Sequence, residues 1–234
     1  MTYTLRASIL TVLFFLLLSP LHAADDTPSV NPTATFTAAD GQTSTESSFT
    51  GSAPIKVACC ANPSGHSGWE AYYEWRIFRN SEQEPYIIRY EQDTDLEFSE
   101  SGTHRISLIA RFTKDGLQEQ YYEMEVASVT VSESQLQMPN AFSPNGDGMN
   151  DIYKAKSGYQ SLVEFHAYIF NRWGQKLYEW TDPAGGWDGT YGGKPVKDGV
   201  YFCLVKAKGA DGKTYNIKKD VNLLRGYTQS TTNE

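Results

Sequence analysis

The sequence predicts an all-β protein, built as two immunoglobulin-like antiparallel β-sandwiches in tandem. Three observations predict it. Apolar and polar residues alternate in short runs separated by turn residues, the period of half-buried strands. The chain carries 15 Tyr, 11 Phe and 19 Gly, a composition that favours strands and turns. Charge divides the chain in two. Residues 24–138 hold 18 acidic and 7 basic residues, a balance of -11, whereas residues 139–234 hold 10 and 12, a balance of +2.

The first residues set the compartment. Arg6 precedes the apolar run Ile9 to Leu18, which only Thr11 interrupts, and Pro20 and L-H-A-A-D-D follow. That order reads as a signal peptide over residues 1–23, cleaved after Ala23 or Ala24. The run is short for a membrane-spanning helix, which needs about 20 apolar residues. No cysteine stands at the cleavage point to make a lipoprotein.

Residues 25–54 are rich in Ser, Thr, Asp, Gly and Pro and suit an extended entry segment, with a short edge strand around TATFTA. Strand patterns follow in I-K-V-A-C-C-A, A-Y-Y-E-W-R-I-F, E-P-Y-I-I-R-Y-E, L-E-F-S-E-S-G-T-H-R-I-S-L-I-A-R-F and Q-E-Q-Y-Y-E-M-E-V-A-S-V-T-V-S. Ile106, Leu108 and Ala110 share one face. Tyr122, Met124, Val126, Ser128 and Thr130 are expected to share one face of the last strand. Lys114–Gly116 supplies a turn, and Trp75 is expected between two sheets. The stretches PIKVACCANP (54–63), EWRIF (74–78) and SGTHRISLIAR (101–111) resemble a PKD-like, immunoglobulin-type domain over residues 24–138. The W-x-F-G-D-G turn of that family is replaced by Trp75 and R-I-F-R-N-S.

Cys59 and Cys60 are adjacent, so on a strand they point to opposite faces. Cys203, in V-Y-F-C-L-V, reads as core packing. No intramolecular disulfide is expected, and no C-x-x-C spacing suggests a metal.

A boundary is expected at Met138/Pro139, where the charge balance changes and Pro139 cannot donate to a ladder. The second module, 139–234, then reads as antiparallel strands. Val163, Phe165, Ala167 and Ile169 share a face, Asn171–Gly174 turns into Q-K-L-Y-E-W, and V-Y-F-C-L-V-K-A-K-G and T-Y-N-I-K-K-D-V-N-L-L follow.

The loop S-P-N-G-D-G-M-N-D (143–151) admits two physical readings. Asn145, Asp147 and Asp151 are spaced as calcium ligands, with Gly148 at the sharp turn, although Lys154 stands where such a loop places a bidentate glutamate. Alternatively, Asn145, Asp147 and Asn150 cap their own backbone in Asx turns while Gly146 and Gly148 take positive φ.

The combination FSPNGDGMND (142–151), NRWGQKLYEW (171–180), WDG (187–189), GKPVKDGVYFCLV (193–205) and VNLLRG (221–226) resembles the gliding-motility-associated C-terminal domain. That domain is also called the type B sorting domain of the Bacteroidetes type IX secretion system. The resemblance implies export through that system and association with an outer-membrane barrel of the SprF/PorP type, among other envelope components. Trp173 and Trp187 are expected to close the sandwich, and Arg172, Lys194, Lys197 and Arg225 are the exposed candidates for partner binding.

A net charge of -8 argues against nucleic acid, which needs clustered Lys and Arg. His66, His104 and His166 are widely spaced, and nothing marks a nucleophile, a carboxylate pair or a small-molecule substrate site. The expected function is therefore a non-enzymatic adaptor at the periplasmic face of the outer membrane, because only one sandwich precedes the sorting domain. The alternative is a short secreted or cell-surface adhesin whose PKD-like domain is the payload.

Overall fold

The computed structural model describes residues 27–116 and 118–226; the signal peptide expected over residues 1–23 lies outside the described residues. Every regular element among them is a strand, so the all-β tandem stands.

The first module runs through β1 (Ser29–Val30), β2 (Thr33–Thr37), β3 (Thr43–Ser44), β4 (Ser48–Gly51), β5 (Ile55–Cys60) and β6 (Pro63–Ser64). It continues with β7 (Glu70–Arg79), β8 (Ile87–Arg89), β9 (Asp93–Phe98), β10 (Gly102–Lys114) and β11 (Gln118–Val131). A four-stranded sheet, β3-β2-β5-β9, packs on a five-stranded sheet, β4-β11-β10-β7-β8, and β1 pairs with β6 alone. The pairing is antiparallel except at β4, which runs parallel to β11.

Alternation decides which side chains enter the core. Strand β5 buries Ile55, Val57 and Cys59 and turns Lys56 and Ala58 outward, so Cys60 sits half-buried on the face opposite Cys59. All three cysteines are free. Trp75 is fully buried between the sheets, and its indole N–H donates to the carbonyls of Glu91 and Gln92 at 3.1 and 3.2 Å. Strand β9 presents Asp93, Asp95 and Glu97 at a sheet edge. Charges there discourage edge-to-edge pairing with other chains.

One expected face is corrected. Ile106 pairs with Ala127 but Ser107 pairs with Glu125, which leaves Val126 as the extra residue of a β-bulge. A bulge shifts the alternation by one residue. The core side of β11 therefore passes from Tyr122 and Val126 to Ala127, Val129 and Val131, and Ser128 and Thr130 turn away.

The second module contains β12 (Ala141–Phe142), β13 (Leu162–Phe170), β14 (Lys176–Trp180), β15 (Thr190–Tyr191), β16 (Lys194–Pro195), β17 (Gly199–Gly209) and β18 (Thr214–Leu223). Its main sheet has the order β12-β18-β17-β13-β14, with β12 parallel to β18, and β15 and β16 form a separate hairpin. Phe165, Ala167, Ile169, Cys203, Val205, Val221 and Leu223 fill one face. Val163 does not join them. A register shift between Leu162 and Glu164 leaves it 38% exposed.

The layer facing this sheet is largely irregular chain. Leu136, Met138, Tyr153, Ala155 and Trp187 cover the core from outside the named strands, and Phe142 joins them from β12. The backbones of Tyr153 and Trp187 exchange hydrogen bonds of 2.8 and 3.0 Å, and the Trp187 indole donates to the Thr190 carbonyl at 2.7 Å. Leu136 and Met138 belong to this core, so the boundary lies between Val131 and Leu136 rather than at Met138/Pro139.

The two modules meet in a hydrogen-bonded junction. The tip of the β17–β18 hairpin places Ala210 against the first core. The Ala210 N–H donates to the Ser161 carbonyl at 2.8 Å, and the Ala210 carbonyl accepts from the Ser101 N–H at 3.0 Å. Buried Ser161 accepts through Oγ from the Ala53 N–H at 3.2 Å. Ser134 donates through Oγ and its backbone N–H to the two oxygens of Asp211 at 2.8 and 3.1 Å. Satisfied buried polar groups of this kind fix orientation, since a lost partner leaves a desolvated donor.

Gly209 has no room for a side chain, because a Cβ would stand 2.0 Å from Ser134 Oγ and 2.3 Å from Asp211 Oδ1. Gly209→Ala is expected to cost about 1–3 kcal/mol through overpacking and to loosen the junction. Chemical denaturation checks the first effect, and an increased radius of gyration in small-angle scattering checks the second.

Candidate functional site

The Ser143–Asp151 loop closes on its own backbone. Asp151 accepts through Oδ1 from the N–H groups of Asn145 and Gly146 at 3.0 and 2.8 Å, and through Oδ2 from Gly148 at 2.8 Å. Asp147 accepts from the Met149 N–H at 2.8 Å and from the Asn145 amide nitrogen at 3.0 Å. The Asn145 side-chain oxygen takes the Asp147 N–H at 3.0 Å. Gly146 and Gly148 adopt φ of 81° and 84°, the left-handed conformations the Asx-turn reading requires. These oxygens accept from N–H donors, as the Asx-turn reading of Asn145 and Asp147 requires, and the calcium reading of Asn145, Asp147 and Asp151 rests on their spacing alone. Those donors, Gly146 first, then Gly148 and Asn145, hold the Asp151 carboxyl below its ordinary 3.8.

Of the four expected recognition residues, Arg225 behaves differently from the rest. Its guanidinium donates to Asp198 Oδ1 at 2.9 Å, to the Gly189 carbonyl at 2.8 Å and to the Val196 carbonyl, while its N–H donates to Asp198 Oδ2 at 2.9 Å. Arg225 thus ties the last strand to the two loops that cover it. Arg172, Lys194 and Lys197 are exposed and form no ion pair among the described residues.

Trp173 is a further correction. Trp187 closes the core, but Trp173 is 81% exposed. It rides on a turn built by Asn171, whose side-chain oxygen accepts from the N–H groups of Trp173 and Gln175 at 3.0 Å each. The Asn171 amide nitrogen donates to Gln175 Oε1 at 2.9 Å. Gly174, at φ 80°, lets the chain reverse without a Cβ clash. Gln175 Nε2 donates to the Tyr191 hydroxyl at 3.0 Å, and the Arg172 guanidinium lies 5.5 Å from the Trp173 ring centre.

Beneath this turn lies a hollow of about 310 Å³, walled by Trp173, Leu177, Tyr191, Val196, Val200 and Tyr201. The structure therefore brings Arg172 and Lys197 together at one rim, with Lys194 on the adjoining β15–β16 hairpin. Tyr191 and Val200 were not expected from sequence. The signal that could have found them is an apolar residue directly beside a turn glycine, Tyr191 before Gly192 and Val200 after Gly199.

Two thiols and one histidine are buried. Burial pushes the Cys59 thiol up to about 12 and the Cys203 thiol up to about 11. His104 is buried, with Nδ1 bonded to the Tyr86 hydroxyl at 2.7 Å and Nε2 to the Glu100 carbonyl at 3.0 Å. Burial lowers its pKa.

Residues 136–220 match the CHU_C Type IX secretion signal domain. The chain thus carries the signal domain of type IX secretion cargo, which implies interaction with that machinery and export toward the outer membrane or cell surface. No curated protein matches the chain. Among solved structures, the Bacteroides ovatus mixed-linkage glucan utilization locus SGBP-B, in complex with a mixed-linkage heptasaccharide, is 13% identical with a TM-score of 0.23. That likeness covers 76% of this chain and 42% of that one, less than half its length. The fibronectin(III)-like modules of Clostridium thermocellum CbhA are 12% identical with a TM-score of 0.24, over 80% of this chain and 94% of that one. Neither superposition is close enough to carry an argument, and the architecture rests on the strand pairing above.

Two substitutions separate structural from recognition roles. Arg225→Ala is expected to lower stability by about 1–2 kcal/mol, the scale for lost charged hydrogen bonds at a half-exposed site. Lys197→Ala is expected to leave it unchanged, and thermal unfolding of both variants checks the contrast. Asp151 has a depressed folded pKa, so its contribution is present above pH 3.8 and disappears as pH falls through the folded value. The gap in Tm between the wild type and Asp151→Asn is therefore expected to hold from neutral pH to about 5 and to close in acid.

Proposed function

We propose that this exported chain is a non-enzymatic adaptor of the type IX secretion and gliding machinery. Its second module docks on a SprF/PorP-type outer-membrane barrel at the periplasmic face, and its first module engages another envelope component. The observation that carries the reading is the pre-ordered Trp173 turn, ringed by Arg172, Lys194 and Lys197, on the module that matches the signal domain. Trp, Tyr and Arg dominate the binding energy of protein interfaces, and an anchor held in place before binding loses little entropy on contact.

Two further features support the adaptor reading. The junction through Ser134, Ser161 and Asp211 lets contact at one module orient the other. Buried thiols and a buried, doubly bonded His104 leave these groups unsuited to nucleophilic or general-base work.

A second reading, a short surface adhesin, is favoured by the first module, whose five-stranded sheet exposes Tyr72 and Tyr121, with exposed Tyr90 just past β8. The two readings differ in location. Protease applied to intact cells is expected to spare the adaptor, and rapid digestion would favour the adhesin.

Affinity recovery from detergent-solubilised outer membrane tests the docking. The wild-type chain is expected to retain a SprF/PorP-type barrel, and Arg172→Glu with Lys197→Glu is expected to reduce recovery roughly tenfold or more. Absence of any such barrel from the wild-type eluate would defeat the proposal.

A further inference from the structure

The chemistry of the hollow beside Trp173 specifies what it can hold. Resting on the docking reading above, we propose that it receives one apolar side chain from an acidic loop of the partner. The partner is thus recognised as an apolar anchor flanked by carboxylates.

The walls are apolar: Leu177, Val196, Val200 and the rings of Trp173, Tyr191 and Tyr201. A volume of about 310 Å³ is at the lower end for ligand sites, which run from roughly 300 to 1,000 Å³. It suits a side chain or short peptide rather than a large cofactor.

The rim is cationic. Arg172 and Lys197 border the opening and Lys194 stands beside it, while the nearby carboxylate, Asp198, is committed to Arg225. Charge complementarity therefore calls for an acidic partner. The polar atoms between walls and rim are already spoken for. Asn171 and Gln175 bond one another and Gln175 bonds Tyr191, so the site is not built to read a set of ligand hydroxyls.

An anionic lipid surface would meet the cations too, but it would leave the hollow without an occupant. The Arg172 guanidinium also lies over the Trp173 ring instead of reaching outward with the lysines. An apolar anchor between carboxylates uses both the hollow and its rim.

The test uses the mature full chain and the probe peptide acetyl-Asp-Glu-Phe-Glu-Asp-amide, followed by tryptophan fluorescence. Trp75 and Trp187 are fully buried, Trp180 nearly so and Trp69 partly buried, so Trp173 is the most exposed indole, and Trp173→Phe separates its signal from that of Trp69. A saturable blue shift is expected. A peptide with Ala in place of Phe should bind at least tenfold more weakly, as should wild-type peptide to Trp173→Ala or Lys197→Glu. Trp173→Phe should lose most of the optical signal while retaining binding by calorimetry.

Equal binding of the Phe and Ala peptides, equal binding to Trp173→Ala, or a shift with phosphatidylglycerol vesicles but not with peptide would overturn the inference. Barrel recovery is scored separately. If the barrel is recovered but the peptide gives no response, the hollow is not the contact while docking stands. If the peptide binds but no barrel is recovered, the docking reading fails instead.

Discussion

An ordered loop layer that covers an apolar sheet must hydrogen-bond its own peptide groups, because water is excluded from one side of it. The second module is built around that constraint. One five-stranded sheet supplies half of the core, and irregular chain carrying Leu136, Met138, Tyr153 and Trp187 supplies most of the rest. Where no ladder exists, short side chains take its place. Asp151 gathers three N–H groups, Asn171 two, and Asp188 caps Thr190 through its N–H and hydroxyl. Burial of an indole such as Trp187 removes about 150–250 Å² from water, worth roughly 4–6 kcal/mol at about 25 cal/mol/Å². That gain requires the covering loops to stay in place, and Arg225 holds two of them by the carbonyls of Gly189 and Val196.

This constraint also explains which parts of the structure could be read from the chain. Alternation exposed the strands of both modules, and the Asn-Asp-Gly density of residues 143–151 correctly announced a tight Asx-rich loop. Calcium ligands and Asx caps use the same residue types at similar spacing, so composition alone could not separate them. The N–H groups that Asp151 and Asp147 accept show the caps in place. The faces of β11 and β13 were misjudged beyond Val126 and at Val163, because a bulge inserts one residue without a sequence mark of its own. The boundary moved for a related reason. Leu136 and Met138 lie outside regular strands yet bury their side chains in the second core.

The two tryptophans show how neighbouring motifs diverge. Trp187 and Trp173 both sit in Gly- and Asn/Asp-containing turns. Trp187 is drawn inward because its backbone pairs with Tyr153 beside the core. Trp173 stands on a reversal between β13 and β14, whose hydrogen bonds are complete within Asn171, Gly174 and Gln175. Nothing pulls the latter ring down. A large exposed indole on a rigid turn is a departure from what folding alone favours, and such departures concentrate where a surface meets something else.

Charge and rigidity then combine. The acidic balance of the first module lies on one side of the junction and the cationic rim of the second on the other. Were the modules joined by a flexible linker, the acidic surface could fold back and screen Arg172 and Lys197. The junction prevents this by holding the β17–β18 hairpin tip against the first core, while Trp173 and Lys197 line a hollow at the other end of β17, beside Gly199 and Val200. Strand β17 spans Gly199–Gly209, so at roughly 3.3 Å per residue its ends stand about 33 Å apart. That separation exceeds the Debye length of about 8 Å at physiological ionic strength several-fold. The rim therefore keeps its own field, and an acidic partner meets it without competition from the acids of the first module.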